Sequence, residues 1–137
     1  MATNIRSLSV NSCPCGSHTH YEQCCGQYHR GSLHLQAPDA ERLMRSRYCA
    51  FVLDDTDYLL QTWDPKSRPP FIEPNEPGTQ WLGLKIVKHE QSDQFHATVE
   101  FVARVRNPQG RAQRLHEVSR FEKVDGHWFY LDGEFRN

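Results

Sequence analysis

Apolar residues are scarce in this sequence: they make up 37% of its 137 residues, less than the usual share for a globular chain. A core built from so little is modest, so a bound metal would add useful stability. No apolar run approaches the roughly 20 residues needed to cross a bilayer, which excludes a helical membrane span. The formal charge is only −1, and so bulk electrostatics favours neither nucleic acid nor a membrane surface. Met1 to Ser12 holds one Arg and no sustained apolar stretch, unlike a secretory signal. A cytoplasmic chain is the resulting expectation, and there cysteines act as metal ligands or buried thiols rather than disulfides. No internal repeat or low-complexity tract appears.

Aromatic residues and cysteines are well supplied. Three Trp, five Tyr and seven Phe each bury a large area and compensate for the lean aliphatic content. Four of the five cysteines fall between positions 13 and 25, in the run CPCGSHTHYEQCC. Four thiolates satisfy tetrahedral zinc. The C-x-C pair needs a sharp turn after it, which Gly16 permits. Thr19 and Glu22 have capping-box spacing, which predicts a short helix carrying Cys24 and Cys25, with Gly26 unwinding it so that both reach one metal. Cys13, Cys15, Cys24 and Cys25 are therefore the expected ligands of a closed structural Zn2+ site, with His18, His20 and His29 as substitutes. A bridge between the adjacent Cys24 and Cys25 would be strained. Cys49 reads as a small buried hydrophobe, because no evident base or helix N-terminus activates it.

After a polar connection, Pro38 and Asp39 open a helix whose apolar stripe runs through Leu43, Met44, Tyr48, Phe51 and Val52. Asp54 and Asp55 break it, and Asp55 caps a second helix through Trp63. Five of the eight prolines lie in 65–79 and predict an irregular loop. The remainder alternates as strands do. Leu82, Leu84 and Ile86 share one face of the first, and Phe95 to Val105 forms the clearest period-two run. Leu115 to Val124 and His127 to Asp132 are the third and fourth, joined at Asp125-Gly126. Helices followed by an antiparallel meander indicate an α+β fold. A four-residue turn at 107–110 predicts Val102 opposite Leu115 and Glu100 opposite Glu117. A two-residue turn at Asp125-Gly126 predicts Phe121 opposite Tyr130 and Ser119 opposite Asp132. One face would then hold Glu100, Arg104, Glu117, Ser119, Phe121, Tyr130 and Asp132.

The segment CPCGSHTHYEQCCG resembles the SEC-C motif, C-x-C-x8-C-C, which also ends the bacterial preprotein-translocase ATPase and there forms a zinc knuckle that contacts partner proteins. LMRSRYCAFV (43–52), DYLLQTW (57–63), WLGL (81–84), EFVARV (100–105), SRF (119–121) and WFYLDG (128–133) resemble the YchJ family of bacterial proteins. That resemblance implies a knuckle over residues 10–30. It also implies a nuclear-transport-factor-2-like α+β domain over 37–137, a cone in which a curved antiparallel sheet packs on N-terminal helices. Some relatives carry a second knuckle at the C-terminus. This sequence runs to Asn137 without one, so a function that needs two knuckles is not expected.

Two functional classes follow. In the first, the chain is a non-enzymatic adaptor whose knuckle contacts a protein partner. In the second, the cone binds a small molecule or catalyses, with Arg47, Tyr48, Trp63, Glu117 and Tyr130 lining a pocket. The plainer reading of Arg47 is a structural pair with Glu117 or Asp132. His116 and Glu117 alternate to opposite faces and cannot form one dyad, so no catalytic residue is assigned. Arg104, Arg106, Arg111 and Arg114 read as a solvated hairpin rather than a nucleic-acid contact. A homodimer through the sheet is compatible with this sheet type.

Overall fold

The computed structural model describes residues 12–136. Residues 1–11 and 137, which include most of the segment read as lacking a secretory signal and the outermost ends of both expected units, lie outside the described residues. Among the described residues no helix is long and apolar enough to cross a membrane.

Helix α1 (Gly26–His29) is a single turn preceded by a 3-10 turn at Tyr21–Gln23. The long helix α2 (Ala40–Leu53) is rich in good helix formers. Asp39 caps its start by accepting from the Arg42 amide at 2.7 Å. Asp54 ends it in the left-handed region. Asp55 then caps α3 (Thr56–Gln61) by accepting from the Tyr58 amide. Trp63 lies beyond that helix, in a parallel bridge with Tyr130.

Strands β1 (Gln80–Asp93), β2 (His96–Arg106), β3 (Ala112–Val124) and β4 (His127–Phe135) form one open antiparallel sheet in sequence order. The α+β architecture with helices on one sheet face is therefore as the sequence predicts. Ala97, Val99, Phe101 and Ala103 of β2 and Phe121 of β3 are buried with Leu43, Met44 and Tyr48 of α2 and with Tyr58 and Leu59 of α3. The far end of the sheet is tied down as well. The Asp64 amide donates to the Tyr130 carbonyl and the Tyr130 amide to the Thr62 carbonyl, both at 2.8 Å, which covers part of the β4 edge.

The β2–β3 register differs by one residue from the expected one. Val102 faces His116 and Glu100 faces Val118. The cause is the turn, which spans 107–111. Asn107 donates its amide to the Arg111 carbonyl, and its Oδ1 accepts from the Gln109 and Arg111 amides. Gly110 supplies the positive φ of +90° that this closure needs. A one-residue slip exchanges the faces of a strand. Glu117, Ser119 and Phe121 accordingly lie on the helix-facing side with Val99 and Phe101, while Glu100, Arg104 and Asp132 lie on the outer side. At the other hairpin Phe121 does face Tyr130, but a bulge beyond it sets Ser119 opposite Gly133 instead of Asp132. In β1 an irregularity between Trp81 and Gly83 leaves Leu82 out of the pairing, so that Trp81 and not Leu82 shares the face of Leu84 and Ile86. Phe95 stands in the turn before β2, half exposed at 50%.

Candidate metal centre

The C-x-C segment turns as expected. The Gly16 amide donates to the Cys13 carbonyl at 3.2 Å, with Gly16 at φ +85°. The expected capping box does not form: the residue that precedes the 3-10 turn is His20, and it makes no side-chain cap. Nor does Gly26 unwind a helix. It begins α1, and it is glycine because a Cβ there would meet the Tyr21 ring at 2.7 Å and the Tyr21 carbonyl at 2.8 Å. Cys24, at φ −124° and ψ −115°, separates the two turns, and it is half-buried where its neighbour Cys25 is fully buried.

Four sulfurs converge, all within 4.8 Å of one another: those of Cys13, Cys15, Cys25 and Cys49. All four side chains are buried. Cys49 comes from the middle of α2, and its Sγ lies 3.4 Å from that of Cys13. It is therefore part of the thiol cluster and not merely a small core residue. Cys24 stands at the rim, half-buried, with its Sγ 3.8 Å from Cys15 Sγ and 3.1 Å from Ser17 Oγ. None of the three histidines considered as substitutes belongs to this group. His18 and His20 are exposed. His29 is buried but occupied, since its Nε2–H donates to the Ser46 carbonyl at 2.8 Å and its Nδ1 accepts from the Tyr21 hydroxyl.

Sulfurs of a tetrahedral tetrathiolate site with metal–sulfur bonds of about 2.3 Å stand about 3.8 Å apart. The observed cluster has that size, and its donor set is all sulfur, so these residues could hold a metal ion. The thiols also share protons unevenly. Cys15 is pushed far down by donation from Cys13, then from Cys25 and Cys49. At Cys13 an upward push from Cys15 is outweighed by donation from Cys25 and Cys49, leaving it at about 6. Cys25 and Cys49 are pushed up, each first through its contact with Cys13. Buried negative sulfur requires a compensating cation. One is present: Arg45 Nη1 donates to the Cys15 carbonyl at 3.0 Å and lies 3.8 Å from Cys15 Sγ, while its Nε pairs with Glu41 at 3.0 Å.

The five residues named as a pocket divide. Arg47, Trp63, Tyr130 and Glu117 come together, and Tyr48 does not. Tyr48 faces the start of β1, where its ring meets Trp81 edge-on at 5.7 Å. Arg47 is 3% exposed. Its guanidinium sits over Trp63 and Tyr130, 5.4 and 4.6 Å from the ring centres. Its Nη1 donates to the Leu59 carbonyl and Thr62 Oγ1. Burial lowers it to about 10, so it remains charged near neutrality. Glu117 Oε2 accepts from Ser119 Oγ at 2.7 Å and Tyr130 OH at 3.2 Å. Asp132, the other carboxylate considered for Arg47, is on the outer face in a two-pronged pair with Arg120. His116, also outside, pairs with Glu100 at 2.7 Å, opposite in face to Glu117 as alternation requires. Thr62 and Gly133 escaped sequence reasoning. Thr62 follows a helix end and carries no motif. Gly133 closes WFYLDG, but what it must accommodate is visible only across the sheet.

A family model described as YchJ, middle NTF2-like domain, matches residues 39–133. A UPF0225 protein of Bordetella parapertussis is 60% identical over 128 residues, covering 93% of this chain and 96% of that one. A UPF0225 protein of Streptomyces coelicolor is 50% identical over 123 residues, covering 90% and 94%. The solution structure of a SEC-C motif containing protein from Rhodopseudomonas palustris is similar with a TM-score of 0.77 and 34% identity, over 92% of this chain and 99% of that one. With a thiol cluster at its N-terminus and the matched α+β domain after it, the chain belongs to the YchJ-like UPF0225 family, a nuclear-transport-factor-2-like domain joined to a SEC-C motif.

Proposed function

We propose that the chain is a zinc-binding, non-enzymatic adaptor of the cytoplasm whose knuckle contacts a protein partner. The observation that carries this reading is the thiol cluster, in which four buried sulfurs lie within 4.8 Å of one another and supply the four ligands that a structural zinc takes from protein alone. A site of that kind is structural. Zinc is the ion that best suits four thiolates without redox chemistry. The outward side of the knuckle, where His18, Thr19, His20, Glu22 and Gln23 are exposed, is then a small rigid surface that metal binding holds in shape.

The test uses the full-length protein as bait. Zinc measured by elemental analysis should be one ion per chain. Replacing His18, His20 and Gln23 together by Ala should leave zinc content and melting unchanged and abolish the capture of a partner that wild type retains at stoichiometric yield. Identical capture by wild type and variant overturns the adaptor reading.

A second reading, small-molecule binding in the α+β domain, is favoured by one observation. Trp63 Nε1 is buried with no hydrogen-bond partner, beside Arg47 and Tyr130. An acceptor on a ligand would satisfy it. Thermal-shift screening against metabolites, with Trp63→Phe as the control that loses the response, tests it. A hit unaffected by Trp63→Phe removes this reading.

A further inference from the structure

We propose that the fourth metal ligand is Cys49 of α2, not Cys24, so that the ion fastens the knuckle to the α+β domain and leaves Cys24 as a solvent-facing thiol. This rests on the reading that the site holds a zinc-type ion, and it settles which thiolates hold it and what the ion connects.

Position argues for Cys49. Its side chain is 0% exposed, like that of Cys15, with Cys25 at 1% and Cys13 at 4%. The sulfurs of these four are mutually within 4.8 Å. The SEC-C spacing by itself offers only positions 13, 15, 24 and 25. Cys24 and Cys25 are chain neighbours, and the Cys24 sulfur, 3.8 Å from that of Cys15 and 3.1 Å from Ser17 Oγ, stands beside the group of four that are mutually within 4.8 Å and not within it. Cys24 also lines a surface cleft of about 440 Å³ with Ser17, Glu41, Arg42 and Arg45. It is thus reachable from solvent, while the other four are not.

The surroundings of α2 suit a ligand-bearing role. One turn before Cys49, the Ser46 carbonyl receives His29 Nε2–H from α1 at 2.8 Å. Ser46 Oγ is bonded to the Leu43 carbonyl and the Tyr58 hydroxyl. Arg45, on the same helix, reaches the Cys15 carbonyl and lies near its sulfur. One divalent ion and four thiolates carry a net charge of −2, and Arg45 offsets part of it. The helix therefore delivers a ligand, a counter-charge and a docking acceptor to the same short stretch of knuckle. An ion bound in this way spans residues 13 to 49 and couples metal binding to folding of the whole domain rather than of the knuckle alone.

The chain has five cysteines, which makes the test decisive. Full-length protein is loaded with Co2+, whose thiolate charge-transfer absorption counts sulfur ligands. In Cys24→Ser only Cys13, Cys15, Cys25 and Cys49 remain, so a four-thiolate spectrum in that variant can come only from a set containing Cys49. The expected result is one cobalt per chain with absorption per cobalt unchanged from wild type. A fall of about a quarter, one thiolate in four, overturns the proposal. A companion measurement needs no variant. Zinc-loaded wild type is treated with iodoacetamide and mapped by mass spectrometry. Cys24 should be modified within minutes and the other four only after chelation; protection of Cys24 together with modification of Cys49 overturns the assignment. Failure of wild type to bind either ion at one per chain instead overturns the zinc reading itself, so the two failures are distinguishable.

Discussion

Cys13 Sγ lies 3.4 Å from Cys49 Sγ, although 36 positions separate the two residues in the chain. This contact joins the C-x-C turn to the central helix of the α+β domain. Cys13, Cys15, Cys25 and Tyr28 accordingly belong to the same buried cluster as Leu43, Tyr58, Val99 and Phe121.

Metal removal should therefore loosen the whole molecule. On treatment with a strong chelator, calorimetry is expected to show one transition at lower temperature, not a knuckle transition followed by an unchanged domain transition. With free zinc about 1,000-fold above its dissociation constant, the difference between loaded and stripped protein corresponds to about 4 kcal/mol. Restoring zinc should restore the midpoint.

Gly133→Ala should destabilise the sheet for reasons of space. A Cβ at 133 would stand 1.8 Å from Glu117 Oε2, because Glu117 crosses toward Ser119 and Tyr130 on the helix-facing side. The Glu117 side chain must swing aside and give up its bonds from Ser119 and Tyr130, a loss of about 1–3 kcal/mol, read from urea unfolding. Glu117→Ala in the same chain should recover part of the loss, a coupling that a double-mutant cycle measures.

Arg47→Lys should be poorly tolerated even though it keeps the charge. The planar guanidinium lies against Trp63 and Tyr130 and bonds the end of α3 through Leu59 and Thr62. An ammonium cannot reproduce both contacts. A loss of about 1–2 kcal/mol in chemical denaturation is expected, with Arg47→Ala more damaging because it also leaves a cavity.

His29 should make stability depend on pH. Burial holds it below its ordinary value, opposed by its bond to the Ser46 carbonyl. As a neutral ring it donates from Nε2 and accepts at Nδ1 from Tyr21; protonation would turn Nδ1 into a second donor facing a hydroxyl. The folded pKa is thus below the unfolded value of about 6.5, and between the two the unfolded chain binds more protons. Stability is then complete above about 6.5 and falls as pH drops toward the folded value. Unfolding followed from about pH 7.5 down to 6 in excess zinc should show this slope, and His29→Gln should flatten it.

Much of the architecture was legible because its signals are local. Asp39 and Asp55 cap the helices they were expected to cap, and the period-two run of β2 and the Asp125-Gly126 turn predicted the strands and the pairing of Phe121 with Tyr130. Where two turn geometries compete, as at 107–111, composition could not choose. The extra residue transferred Glu117 to the core face, and the bulge between Arg120 and Phe121 left Asp132 outside. Leu82 and Phe95 were misplaced for a related reason: a bulge and a turn interrupted the alternation on which their assignment depended.

At the metal centre the same division holds. Spacing alone determined that a thiol-rich knuckle occupies residues 13–25, because Cys-x-Cys, glycine and a second cysteine pair are chemistry written within thirteen residues. Which sulfurs gather was decided only by tertiary structure. Cys49 enters because α2 docks against the knuckle through His29, Ser46 and Arg45, while Cys24 stands half-buried at the rim against Ser17 and Cys15. A helix in the sequence records its period and its caps but not what its buried face will meet. A cysteine on that face becomes part of a thiol cluster only when packing brings other sulfurs within reach.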